Sequence, residues 1–178
     1  MLGVKRNKVL LSPYDEDWIN QYQSTKEELE LILGDSILNI YHVGSTAIKN
    51  IVAKPILDVS VEIRCIKTLN ITGMEIVGYE WCGEHGGPGH YLFVKRLDDD
   101  ISTHHIHCYL PNHENLWATV LFCEYLNSHP EQAKLYNDLK EELAKKYPDD
   151  RNAYTEGKTV FINRIVDFAK EELQINEV

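Results

Sequence analysis

The chain carries no cysteine pair. Its four cysteines, Cys65, Cys82, Cys108 and Cys123, are scattered without a Cys-x-x-Cys spacing. That argues against a zinc knuckle or a disulfide framework and for reduced thiols packed as small apolar side chains. No apolar run is long enough to span a bilayer, so no membrane partner is expected. Met1 to Lys8 is basic but leads into no apolar signal core with a small-residue cleavage site. The expected location is the cytoplasm. Positive charge is scarce: 18 Lys and Arg stand against 28 Asp and Glu, a formal net charge of −10. Such a chain lacks the broad positive field of non-specific nucleic-acid binders, and a small substrate suits it better than a long polyanion. There is no Walker-A glycine–lysine pattern, no internal repeat and no low-complexity linker.

What is present suffices for one folded domain. The 178 residues are 43% hydrophobic and 26% charged, an ordinary globular balance. Asp15 to Leu33 reads as a helix with acids in its first turn, Trp18, Tyr22, Leu29 and Leu33 at helical spacing, and Gly34 as its stop. Ile37 to Val43 and Ile56 to Ile63 read as strands, with a short one at Ile76 to Trp81. Tyr91 to Lys95 and Ile101 to Leu110 form a hairpin about Asp98-Asp99-Asp100. Three helices follow Pro111: Glu114 to Asn127, a second capped by Ser128 with Glu131 in a capping box, and Thr155 to Leu173 with Phe161, Ile165 and Phe168 inward. The second presents Gln132, Tyr136, Leu139, Leu143 and Tyr147 and stops before Pro148. This order predicts one α+β domain over residues 1–178, with a sheet core at about 9–110 and a helical part at about 111–175.

The chemistry concentrates in two neighbouring blocks. Gly44-Ser45-Thr46 follows the first strand; glycine admits close backbone approach, and a turn into a helix presents N–H groups to an anion. Taken alone it is an ordinary capped turn. A dozen residues later, Asp58, Ser60 and Glu62 alternate with Leu57, Val59, Val61 and Ile63. The alternation predicts a polar row along a cleft and an apolar row in the core, with side chains roughly 6–7 Å apart along each row. Two such carboxylates suit Mg²⁺ or Mn²⁺, although Ser60 weakens the set, and a solvated strand face is the plainer reading. Lys54 precedes Pro55 at the strand entry, where it would neutralise phosphate or be a surface lysine. His105 and His107 share one face of a later strand, with His104 on the other. Beside the acid strand they would meet Asp58 as metal ligands or a general base; otherwise they are exposed or core histidines. The glycine-rich stretch from Gly83 to His90 is a substrate loop or a long hairpin loop. Lys158 at a helix start opposes the helix dipole unless an anion lies nearby, and Lys140 borders a buried helix face.

The sequence resembles the GrpB-like family of the nucleotidyltransferase superfamily. The matching blocks are Pro13-Tyr14-Asp15 with Trp18, His42-Val43-Gly44-Ser45-Thr46-Ala47, Ala53-Lys54-Pro55-Ile56-Leu57-Asp58, Gly83-Glu84, Pro88-Gly89, His105-Ile106-His107, Leu126 with His129-Pro130, Tyr136 with Lys140, and Tyr154 with Lys158 and Phe161-Ile162. The resemblance implies a nucleotidyltransferase-like mixed β-sheet flanked by helices, with a helical C-terminal region. It implies a Gly-Ser turn, then Asp-x-Asp or Asp-x-Glu on a strand and a third acid on a neighbouring strand. Gly44 and Ser45 match the turn and Asp58 the first acid; Ser60 departs at the second, and His105 or His107 stands at the third. Family members carry Arg-Asp where this chain has Cys123-Glu124.

The expected activity is metal-dependent transfer of a nucleotidyl group from a nucleoside triphosphate to a small-molecule acceptor. Asp58 and His107 would be catalytic. Gly44, Ser45, Thr46, Lys54, Lys140 and Lys158 would hold phosphate, and Asp58, Glu62, His105 and His107 would hold Mg²⁺ or Mn²⁺. The alternatives are a nucleotide- or phosphometabolite-binding module without transfer, and a histidine-metal hydrolase. Convergence of the four metal-ligand candidates beside Gly44 would favour the enzyme.

Overall fold

The computed structural model describes residues 2–5, 8–98 and 100–176. Met1, Arg6 and Asn7 of the basic N-terminal stretch and Asp99 of the expected hairpin turn lie outside them. The elements run β1 (Val4–Lys5), α1 (Asp17–Leu33), β2 (Ile37–Val43), β3 (Leu57–Ile63), α2 (Ile71–Ile76), β4 (Tyr79–Glu84), β5 (His90–Asp98), β6 (Ile101–Tyr109), α3 (Glu114–Ser128), α4 (Pro130–Lys146), α5 (Arg151–Glu156) and α6 (Thr159–Asn176). Among the described residues the strands make one mixed sheet in the order β2-β3-β6-β5-β4, with β1 pairing against β6. β3 and β6 run parallel at its centre, and the other pairs are antiparallel. No helix among the described residues is long and apolar enough to cross a membrane.

Strand alternation divides the molecule into two cores. Leu57, Val59, Val61 and Ile63 of β3 join Phe93, Ile106 and Cys108 on one face, packed against Leu29 and Leu33 of α1 and Met74 of α2. Each such aliphatic side chain contributes about 1.5–3 kcal/mol when taken from water. The opposite face carries Val43 and Tyr109 against Leu116, Val120, Phe122 and Leu126 of α3, Tyr136 of α4 and Ile165 of α6. Helices therefore cover both faces, and the polar row of β3 points toward the C-terminal ones.

Several boundaries differ from expectation. Ile76 closes a helix instead of opening a strand, because the Asn70 side chain accepts from the Gly73 N–H and caps α2. Gly78, at φ 91°, then turns the chain into β4. Ser128 does not cap α4: it is the last residue of α3, its hydroxyl donating to the Glu124 carbonyl. Pro130 takes the first position of α4 instead. The expected last helix is two, broken at Gly157 and Lys158, and Phe168 is exposed. None of the four cysteines is in a disulfide; Cys108 and Cys123 are buried and Cys82 is exposed.

Candidate functional site

Gly44 ends β2 at φ 72° and ψ −174°, a conformation suited to glycine. A side chain there would also collide with the neighbouring strand, since a Cβ on Gly44 would sit 2.4 Å from Asp58 Oδ2. The turn and the carboxylate are thus packed backbone to side chain. A short 3₁₀ turn, Ser45–Ala47, follows. Behind it the buried Cys123 thiol donates to the Gly44 carbonyl, 3.6 Å away.

The register of the parallel pair brings the histidines to Asp58. Asp58 lies opposite His105, and Ser60 opposite His107. His105 Nδ1 donates to Asp58 Oδ1 at 3.0 Å, and His107 Nε2 lies 4.0 Å from the same oxygen. One donor atom from each of Asp58, His105 and His107 falls within 4.8 Å of the others. Burial alone would raise the Asp58 pKa. The His105 hydrogen bond, with the charges of His105, His107 and Lys54, outweighs it and holds the carboxyl at about 2. Burial depresses His107 to about 4 despite Asp58, so its ring is neutral at pH 7. His107 Nδ1 is also 2.9 Å from His90 Nε2 of β5, and His90 stacks on Tyr109. His104 points to the other face, beside Thr103 and Tyr79.

These groups open onto a cavity of about 770 Å³. Gly44, Ser45, Lys54, Asp58, His105 and His107 line one side. Arg151, Tyr154 and Lys158, from α5 and the break after it, line another. The Lys54 and Lys158 ammoniums lie 5.3 and 4.6 Å from the centre of the Tyr154 ring. Burial lowers the Lys54 pKa to about 7, helped by Arg151 and Lys158. Burial lowers Lys158 to about 8, with Asp58 opposing and Arg151 assisting. Three cations thus face the cavity around one aromatic ring, and an anion would relieve their mutual repulsion.

Four expected site features fall elsewhere. Glu62 is buried outside the cavity lining, its carboxylate accepting from Asn39 Nδ2 at 2.6 Å and from the Asn112 N–H at 3.4 Å. Ser60 is also fully buried, so the polar row of β3 meets the cleft only at Asp58. The Ser60 hydroxyl has no hydrogen bond of good geometry. It is still close enough to Tyr109 to lower a phenol that burial raises to about 12. Lys140 is fully buried behind the cavity, donating to the Val52 carbonyl beneath the Tyr136 ring. Thr46 turns its hydroxyl to His42 Nε2, 3.0 Å away, and does not line the cavity. Of the glycine-rich loop, His85 reaches the lining. Sequence reasoning does not single out Arg151, and it reaches His90 only as the end of the glycine-rich stretch. Arg151 follows the Pro148-Asp149-Asp150 stop, and Asp150 caps α5 by accepting from the Ala153 N–H. His90 follows only from the β5–β6 register.

Residues 8–167 match the family described as GrpB protein. The chain is 37% identical over 167 residues to the UPF0157 protein YqkA of Bacillus subtilis, covering 93% of this chain and 48% of that protein. It therefore spans about half the length of that relative. It is 34% identical over 172 residues to the glutamate-rich protein GrpB of Alkalihalophilus pseudofirmus, covering 94% and 99% of the two. Among solved structures, the conserved protein GrpB from Enterococcus faecalis superposes with a TM-score of 0.85 at 31% identity, over 93% of this chain and 99% of that one. The Cid1 poly(U) polymerase in its Mg 3′-dATP form gives 0.55 at 12% identity, over 82% and 49%. That likeness is one of fold: a nucleotidyltransferase-like mixed sheet flanked by helices.

Proposed function

The chain belongs to the GrpB family, and on that premise we propose that it is a metal-dependent nucleotidyltransferase acting on a small-molecule acceptor. The observation that carries the reading is the meeting of Asp58, His105 and His107 beside the Gly44 turn, in a cavity that also gathers Lys54, Arg151 and Lys158. The cavity volume suits a nucleotide. Cid1, of the same fold, is described with Mg-bound nucleotides.

In this reading Lys54, Lys158 and Arg151 attract the polyphosphate and disperse the charge that grows on the leaving pyrophosphate. Gly44 and Ser45 border the phosphate without a side chain in its path. Tyr154 keeps the two ammoniums in place. Asp58, with His105 and His107, holds a divalent cation. Such a cation, when bound, shields phosphate charge and lowers the pKa of an attacking hydroxyl. The acceptor oxygen forms its bond to the α-phosphorus as the bond to the β-phosphate oxygen breaks, and the hydroxyl proton passes to a base in the cavity.

Titration of ATP, GTP, CTP and UTP into the protein with and without Mn²⁺ tests the proposal, followed by a search for pyrophosphate release across acceptors. Metal-dependent binding of at least one triphosphate that is lost in Asp58→Ala supports it. Absence of triphosphate binding, or binding indifferent to Asp58→Ala, overturns it. Ser60 in place of a second acid favours one other reading, a phosphometabolite-binding module without transfer. That reading expects stabilisation by ligand without metal and no pyrophosphate release.

A further inference from the structure

We infer that the Asp58–His105–His107 cluster takes a single imidazole-binding transition-metal ion of the Fe²⁺, Co²⁺ or Zn²⁺ kind in preference to Mg²⁺, with His90 positioning His107 for it. The inference rests on the reading of the cavity as a metal-dependent site and names the metal class.

The ligand set carries it. Mg²⁺ wants a shell of oxygens, whereas imidazole suits Zn, Fe, Cu and Ni. A site built for Mg²⁺ would need further carboxylates next to Asp58. The next position on the same strand face is Ser60, fully buried and without a hydrogen bond of good geometry. The one after it is Glu62, which is committed to Asn39 and Asn112 outside the cavity lining. In their place the parallel strand offers two imidazoles. Asp58 Oδ1 lies 3.0 Å from His105 Nδ1 and 4.0 Å from His107 Nε2. Donors on one tetrahedral ion with ~2.0–2.1 Å bonds sit roughly 3.3 Å apart, so small side-chain shifts close the set. Three protein donors leave the ion's remaining positions to water or phosphate from the cavity.

His90 supplies the outer partner that histidine ligands normally have. With His107 Nδ1 and His90 Nε2 2.9 Å apart, the His107 tautomer that donates its Nδ1–H to His90 leaves the Nε2 lone pair, on the Asp58 side, for an ion. His90 is itself fixed by stacking on Tyr109, 4.3 Å between ring centres. His90 is thus a positioning residue with no donor of its own in the cluster.

The test is a metal titration of the chelator-stripped 178-residue chain without nucleotide. Mg²⁺, Mn²⁺, Co²⁺ and Zn²⁺ are added separately, with calorimetry for affinity and visible absorption for the Co²⁺ ligand field. One Co²⁺ or Zn²⁺ ion per chain is expected, bound more than about tenfold tighter than Mg²⁺. His107→Gln and His105→Asn should abolish that site and the Co²⁺ bands. His90→Gln should weaken it about 10–100-fold while leaving the band positions of the saturated site in place. Circular dichroism of each variant separates lost ligation from lost folding. Mg²⁺ binding as tightly as Co²⁺, or Co²⁺ binding that survives both ligand substitutions in folded protein, overturns the inference. Because no nucleotide is present, the outcomes separate: Co²⁺ binding without triphosphate binding removes the transferase reading alone. A Mg²⁺-selective site with triphosphate turnover removes this inference alone.

Discussion

Asp58 and Glu62 stand on the same face of the same strand, four residues apart, and meet opposite fates. Asp58 lies beside Gly44, opposite His105, and opens onto the cavity. Glu62 lies opposite Tyr109 and Asn39 and is closed off by the Asn39 amide and the Asn112 N–H. A carboxylate already given hydrogen-bond donors is structural; one given imidazoles beside an open cavity is available for chemistry. The two ends of one alternating acid row therefore have different surroundings, set by the neighbouring strands and the Asn112 turn.

The sharpest way to break that comparison is to remove each acid. Asp58→Ala should abolish divalent-metal binding, measured by calorimetry, while the chain stays folded. Glu62→Ala should leave metal binding intact. It strands buried donors and should cost about 1–3 kcal/mol in urea unfolding. At this chain length that is roughly 2–4 °C of melting temperature per kcal/mol. Loss of metal binding in both variants would erase the distinction. Next is Gly44→Ala, which forces a side chain into positive φ and against Asp58 Oδ2. It should cost about 1–3 kcal/mol of stability and weaken the metal site as well, showing that the turn holds the carboxylate.

The lysines repeat the contrast. Lys54→Met or Lys158→Met should each lower triphosphate affinity about tenfold, roughly 1.4 kcal/mol, in the same titration. Lys140→Met should leave affinity unchanged and lower the melting temperature, because it strands the Val52 carbonyl.

Much of this was legible in the residues. β2 occupies its expected span, and the apolar alternation of β3 placed Leu57, Val59, Val61 and Ile63 in the core. The pairing of His105 and His107 with Asp58 needed only a parallel neighbour, which β6 is. What was not legible depended on long-range cover. Periodicity puts Ser60 and Glu62 on the right face but carries no record that both are buried, nor that the Asn112 turn, at φ 63°, meets Glu62. Lys140 looked like a phosphate ligand because a cation on a buried helix face invites one. Its partner is a backbone carbonyl 88 residues away in sequence. The break at Gly157 and Lys158, beside which Arg151, Tyr154 and Lys158 line the cavity, falls where the sequence pattern still reads as helix.

The last comparison is in pH, and it runs in opposite directions for stability and binding. Lys54 falls from 10.5 to about 7 on folding and Lys158 from 10.5 to about 8. Between these values and 10.5 the unfolded chain holds more protons than the folded one, so the stability contribution rises with pH. It is complete above about 10.5 and is lost as pH falls through 8 and 7. Triphosphate affinity should instead fall as pH rises through 7 to 8, as the ammoniums lose charge. Urea melts and titrations at matched pH measure both. A parallel trend would mean that these lysines do not face the ligand.

The central claim is that Asp58, and not Glu62, is the acid of a working metal–nucleotide site. Titration of Mn²⁺ with ATP into the wild type, Asp58→Asn and Glu62→Gln tests it most directly, since both changes keep side-chain size and remove charge. The expected result is wild-type binding in Glu62→Gln and none in Asp58→Asn. Equal binding in all three, or loss in Glu62→Gln alone, would contradict it.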